Sequence, residues 1–215
     1  MIDLSLQLVT DTRLCGPRGV PAVVAAAVAG GVRTVQVRDH DATAAELVAL
    51  TCAVAAVLDE RTTLLVDDRV DVVLAARPAG ARVDGVHVGQ SDLPVLAARR
   101  ILGADAVVGL TANTPAHLEA AHALPAGTVD YLGVGVIRAT STKPDHPRPL
   151  GIDGFGELAA STPLPCVAIG GIGLDDVTAL RRAGAAGVAV VSLVSGADDP
   201  GEVIRHLRAA WKDGA

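Results

Sequence analysis

Short apolar runs alternate with longer alanine-rich stretches along the whole chain. The apolar runs at 4–10, 32–37, 62–66, 85–88, 106–110, 129–132, 165–169 and 187–191 are rich in Val, Leu and Ile and read as buried strands. The stretches at 21–29, 43–59, 70–76, 94–102, from Pro115 onward, 152–160, 175–183 and 200–211 read as helices. Their punctuation agrees. Gly30-Gly31 and Gly103 stop two of them, and Thr43 followed by Glu46 makes a capping box at the start of a third. The sixth apolar run is expected to break at Gly133 and Gly135 and to continue as a long loop to Gly151.

Strictly alternating strands and helices imply a parallel sheet. Eight such units imply α/β architecture of the closed (β/α)8 type, a TIM barrel. An open doubly wound sheet would have fewer strands and a glycine fingerprint after the first, and this chain has neither. No linker or composition break interrupts the pattern, so one catalytic barrel domain over 1–215 is expected.

Composition sharpens that picture. Hydrophobic residues make up 50% of the chain and aromatics 1%, so Val, Ala, Leu and Ile must build the core, as suits parallel strands under alanine-rich helices. The net charge of -6, without a basic run, argues against nucleic acid. An anionic substrate would need local compensation from Arg, Lys or a metal ion. Cys15, Cys52 and Cys166 are far apart and lack metal-ligand spacing, as expected of thiols in a reducing compartment. The first residues lack a basic leader and the longest apolar runs are interrupted by glycine. A cytoplasmic protein with no membrane partner is expected.

The polar residues carry the chemical signal, because nearly all of them directly follow a strand. Gln36 and Arg38 follow the second, Asp67 and Asp68 the third, Gly89 to Asp92 the fourth and Thr111 the fifth. Thr140, Ser141, Thr142 and Lys143 follow the sixth, Gly170 and Gly171 the seventh, and Val191 and Ser192 the eighth. In a barrel these positions meet on one rim. Asp68 and Asp92 suit Mg²⁺ beside a diphosphate, while Asp67 is expected to cap the helix after it. Arg38 and Lys143 suit an anion, and Gln36 a heterocycle. The glycine pair and Ser192 suit a monophosphate bound by backbone N–H groups. His87 is read as a packed, satisfied histidine in preference to a wall of the site, and His117, His122 and His206 as surface. Tyr131, Phe155 and Trp211 are read as isolated apolar contacts.

The segments VQVRDHD, VDDRVD, GVHVGQSDLP, DYLGVGVIRATSTKP, AIGGI and VAVVS, in this order at strand ends, resemble the thiamine-phosphate synthase family. The resemblance implies a transferase. It would condense 4-amino-2-methyl-5-pyrimidinylmethyl diphosphate with a thiazole monophosphate to give thiamine phosphate and diphosphate. A dissociative mechanism is implied, with no protein nucleophile. It further implies Mg²⁺ on Asp68 and Asp92, the diphosphate at Arg38, Thr140, Thr142 and Lys143, and the pyrimidine at Gln36. Thr111 would stand near the reacting groups, and Gly171, Val191 and Ser192 would bind the thiazole phosphate. His40 stands where the family usually has Lys, and Asp67 where it usually has Asn. Both are placed with the substrate-binding residues and lower the positive potential there.

Two alternatives remain at this point: a thiazole phosphate tautomerase, which needs only the monophosphate site, and a non-catalytic thiazole-phosphate-binding paralogue. The partners expected are small-molecule substrates, and assembly into a homo-oligomer is left open.

Overall fold

Burial on both faces explains why the apolar runs lack alternation. Strands β1 (Leu6–Val9), β2 (Thr34–Val37), β3 (Thr63–Asp67), β4 (Gly85–Val88), β5 (Val107–Thr111), β6 (Tyr131–Gly135), β7 (Cys166–Ile169) and β8 (Gly187–Val190) form one closed barrel in chain order. Every neighbouring pair is parallel, including β8 with β1. This is the expected (β/α)8 architecture. The computed structural model describes residues 2–142 and 148–214.

Outward strand residues such as Leu8, Val35, Val66, Val108, Leu132 and Val188 belong to the main core beneath the helices. Inward residues Val9, Leu65, Tyr131, Val167 and Ala189 fill a second cluster inside the barrel. Each fully buried Val or Leu contributes roughly 1.5–3 kcal/mol relative to exposure.

The covering helices are α2 (Val20–Gly30), α3 (Ala44–Ala55), α4 (Val70–Ala76), α5 (Val95–Leu102), α6 (Pro115–His122), α7 (Gly151–Ala160), α8 (Val177–Arg182) and α10 (Pro200–Asp213). The capping box forms as read: Thr43 Oγ1 accepts from Glu46 N–H, and Glu46 Oε2 accepts from Thr43 N–H at 2.8 Å. Two short helices have no counterpart in the apolar pattern, α1 (Thr12–Cys15) and α9 (Ser192–Ser195). Both lie between a strand end and a longer helix and are too short to show a period of their own.

One expectation is corrected. Gly133 and Gly135 do not break the sixth strand; they pair with Val167 and Ile169 of β7 as ordinary ladder residues. Glycine is there for space. A Cβ at Gly135 would stand 2.0 Å from Ile169 O, and one at Gly133 would stand 2.8 Å from His87 Cε1.

Candidate active site

The carboxyl ends of all eight strands open into one cavity of about 890 Å³. The lining includes Gln36 in β2, Arg38 and His40 after it, Asp67 and Asp68 at β3, Asp92 after β4 and Thr111 at β5. Thr140 and Thr142 after β6, Gly170 after β7 and Val191 after β8 complete the ring. Gly171 and Ser192 are chain neighbours of lining residues and stand outside the lining itself. Lys143 lies outside the described residues.

Arg38 organises one side. Its backbone N–H donates to Thr10 Oγ1 at 3.0 Å, and its Nη2 donates to Thr142 O at 3.0 Å. The guanidinium also stands 3.4 Å from Asp67 Oδ2 and 3.9 Å from Asp11 Oδ2. It therefore ties the loop after β6, at Thr142, to the ends of β1 and β3.

Asp67 is not the helix cap. The residue before α4 is Arg69, which makes no side-chain cap bond. The Asp67 carboxylate instead accepts from Gln36 Nε2 and faces Arg38 and His40. It sits at the end of β3, beside the inward-facing Gln36, so its side chain turns into the barrel mouth. Asp68 has φ 59, the left-handed region that non-glycine residues seldom occupy. Its N–H donates to His87 O at 2.7 Å. Asp92 Oδ2 accepts from Gly89 N–H at 2.8 Å.

His40, Asp67 and Asp68 bring one ligand atom each within 4.8 Å of one another, and Asp92 stands apart from that triple on the neighbouring loop. The donors are mainly hard carboxylate oxygens, which suit Mg²⁺. Charge points the same way. Among the described lining residues, six aspartates face two arginines, so an anion entering the cavity meets an excess of carboxylates over guanidinium groups.

His87 lines the cavity and is also fully engaged in packing, with Nδ1 3.0 Å from Tyr131 Oη and Nε2 2.9 Å from Thr111 Oγ1. Tyr131 is thus no isolated apolar contact. Burial pushes its phenol far above the ordinary range, with the Asp67 and Asp130 charges adding to the shift.

Across the barrel the loop after β6 packs onto the glycine pair after β7. Ile137 and Arg138 N–H both donate to Gly170 O. Gly170 and Gly171 have φ 94 and 66, and a Cβ at Gly171 would stand 2.7 Å from Arg138 O. Arg138 then forks onto Asp176, with Nη2 2.6 Å and Nε 3.1 Å from Oδ1.

The family follows from comparison with known proteins. A model described as thiamine monophosphate synthase matches residues 6–194. The chain belongs to the thiamine monophosphate synthase family. A thiamine-phosphate synthase of Corynebacterium efficiens is 48% identical over 87% of each chain. One from a Psychrobacter species is 41% identical over 96% of this chain and 94% of its own. Among solved structures, thiamine phosphate pyrophosphorylase from Pyrococcus furiosus superposes with a TM-score of 0.84 at 30% identity, covering 99% and 97% of the two chains. A 3-hexulose-6-phosphate synthase matches with a TM-score of 0.70 at 17% identity, which marks the barrel fold alone.

Within this thiamine monophosphate synthase barrel, several residues escaped the sequence reading. Asn113 Oδ1 accepts from Gly135 N–H at 3.0 Å, and Asn113 N–H donates to His117 Nδ1 at 3.2 Å. His117 therefore lines the cavity and is not a surface residue. Its place on the first turn of α6 was the available signal, since that turn begins at the rim. No helix among the described residues is long and apolar enough to cross a membrane.

The Arg138–Asp176 pair makes a pH prediction for this family member. The guanidinium holds the Asp176 carboxyl below its ordinary value of 3.8 against the opposing effect of burial, and Gly173 N–H helps. A depressed folded-state pKa contributes stability above the ordinary value and loses it as pH falls through the folded value. Asp176→Asn should therefore unfold at a lower urea midpoint than wild type near pH 7, with the gap closing below about pH 3.8. The gap should be modest, because the Arg138 side chain is 60% exposed and water screens the pair. A gap that widens in acid would contradict this assignment.

Proposed function

We propose that this protein is a thiamine-phosphate synthase. It joins 4-amino-2-methyl-5-pyrimidinylmethyl diphosphate to a thiazole monophosphate, forming thiamine phosphate and releasing diphosphate. The observation that carries the reading is the single cavity. It gathers Arg38, Asp68, Asp92, Thr111, Thr140 and Thr142 opposite Gly170 and Val191 in a chain of this family.

The two ends of the cavity have different work. Asp68 and Asp92 would hold Mg²⁺, a hard cation suited to carboxylate and phosphate oxygens. The ion would supply positive charge against the departing diphosphate. Arg38, Thr140 and Thr142 line the same side, with Lys143 next in the chain, and offer guanidinium, hydroxyl and ammonium donors to the leaving group. His40 and Asp67 complete that wall. The thiazole phosphate would take backbone N–H groups at Gly171, Val191 and Ser192.

Gln36 has a specific polarity. Its Nε2 is committed to Asp67, so Oε1 remains as an acceptor, which suits the amino group of the pyrimidine. Dissociation first and attack by the thiazole nitrogen second need no nucleophile from the protein. They need two fragments held in line and a stabilised leaving group. The isomerase and non-catalytic alternatives find no support in the relatives' descriptions.

The test is to incubate both substrates with Mg²⁺ and follow thiamine phosphate and diphosphate together. Equimolar release is expected. No product, with thiazole phosphate still bound, would overturn the proposal.

A further inference from the structure

Two strand glycines clear a space for one imidazole. His87, Gly109 and Tyr131 form one row across β4, β5 and β6, and Thr111 pairs with Gly133 in the next inward row toward the cavity. A Cβ at Gly109 would stand 2.4 Å from both His87 Nδ1 and Tyr131 Cζ, and one at Gly133 would stand 2.8 Å from His87 Cε1. Side chains at those two positions would fill the barrel here, and their omission lets the ring lie between Tyr131 and Thr111.

The direction of the hydrogen bonds follows from burial. Tyr131 is 1% exposed, and among the described residues its hydroxyl has one hydrogen-bond partner, His87 Nδ1. A buried O–H without an acceptor is strongly disfavoured, so the phenol donates. A neutral imidazole that accepts at Nδ1 carries its proton on Nε2. That N–H then donates to Thr111 Oγ1 at 2.9 Å. Among the described residues the Thr111 hydroxyl has no further partner, and Thr111 lines the cavity. With one lone pair taken by His87, its own proton is left for an acceptor in the cavity. The opposite direction would orphan the phenol proton and turn the Thr111 proton away from the cavity toward His87.

We infer that Tyr131, acting through His87, sets Thr111 as a hydrogen-bond donor into the cavity, aimed at an oxygen of the departing diphosphate. Tyr131 and His87 are positioning residues, and Thr111 is the group that touches the substrate. The identity of the acceptor rests on the proposed synthase reaction. The direction of the chain does not.

The test joins a spectroscopic and a kinetic readout. In protein labelled with ¹⁵N at histidine, the His87 signals, assigned by comparison with His87→Gln, are expected to show the neutral ring protonated at Nε2. Tyr131→Phe should shift them toward a mixture of tautomers. It should lower kcat about tenfold while the KM for thiazole phosphate stays unchanged. Thr111→Val should lose at least as much, Thr111→Ser should retain most activity, and Tyr131→Phe should add little to Thr111→Val. Protonation at Nδ1 or at both nitrogens in wild type would overturn the inference, even if Tyr131→Phe fails to fold. So would a folded Tyr131→Phe with wild-type kcat. A wild type that makes no thiamine phosphate would instead sink the synthase reading, while the tautomer still decides the direction of the chain.

Discussion

Asp68→Asn should lower Mg²⁺-dependent turnover by about 100- to 1000-fold, the scale on which a preorganised charge at a leaving group acts. The substitution keeps the shape and removes the charge. Asn also tolerates the left-handed backbone, so the φ of 59 at this position adds no strain in the variant. The physical reason for the large effect is the imbalance of charge in the cavity. Its described lining carries six aspartates and two arginines, and an added diphosphate is repelled unless a cation intervenes. Steady-state formation of thiamine phosphate across a Mg²⁺ titration measures the effect. Turnover within about tenfold of wild type would remove Asp68 from the cation site.

Arg38→Leu should act on both function and stability. The guanidinium supplies charge to the diphosphate side, and losing one charge-assisted contact, worth about 1.5–3 kcal/mol, should raise the KM for the pyrimidine diphosphate about 10- to 100-fold. The same change leaves Asp67 and Asp11 without the cation that stands 3.4 and 3.9 Å away. Their side chains are only 12% and 8% exposed, so water compensates little. A loss of roughly 1–3 kcal/mol in urea unfolding is expected, less than for a fully buried contact pair because the distances are long. Arg38→Lys should restore the charge and only part of the affinity, since an ammonium lacks the fork that reaches Thr142 O and both carboxylates. Equal kinetics for the Leu and Lys variants would show that the guanidinium does not meet the substrate.

The barrel itself was legible because its strands are short, apolar and separated by helices with visible stops. The Thr43–Glu46 capping box is a local device within one turn, so the residues and their spacing reveal it. The candidate site was legible as a set of strand ends, because barrel topology sends all of them to one rim. What escaped was pairing across the barrel. Asp67 read as a helix cap because helix starts favour aspartate, yet its partners Gln36 and Arg38 lie in and just after the neighbouring strand. Gly133 and Gly135 read as strand breakers because the ring and backbone they accommodate are distant in the chain. His87 and Tyr131 are 44 positions apart, and only the register of three adjacent strands brings Nδ1 to the phenol. His117 read as surface because it stands among Ala, Leu and a charged residue on α6, and the rim it faces is formed by other elements.

A cation-assisted diphosphate site on one side of the cavity and a phosphate site on the other should respond separately to mutation. Calorimetric titration of Asp92→Ala with each substrate reads this directly. Mg²⁺-dependent binding of the pyrimidine diphosphate should be lost, while affinity for thiazole monophosphate should stay within about twofold of wild type, as for uncoupled sites. Comparable loss of both affinities would contradict the division of the cavity into two anion sites.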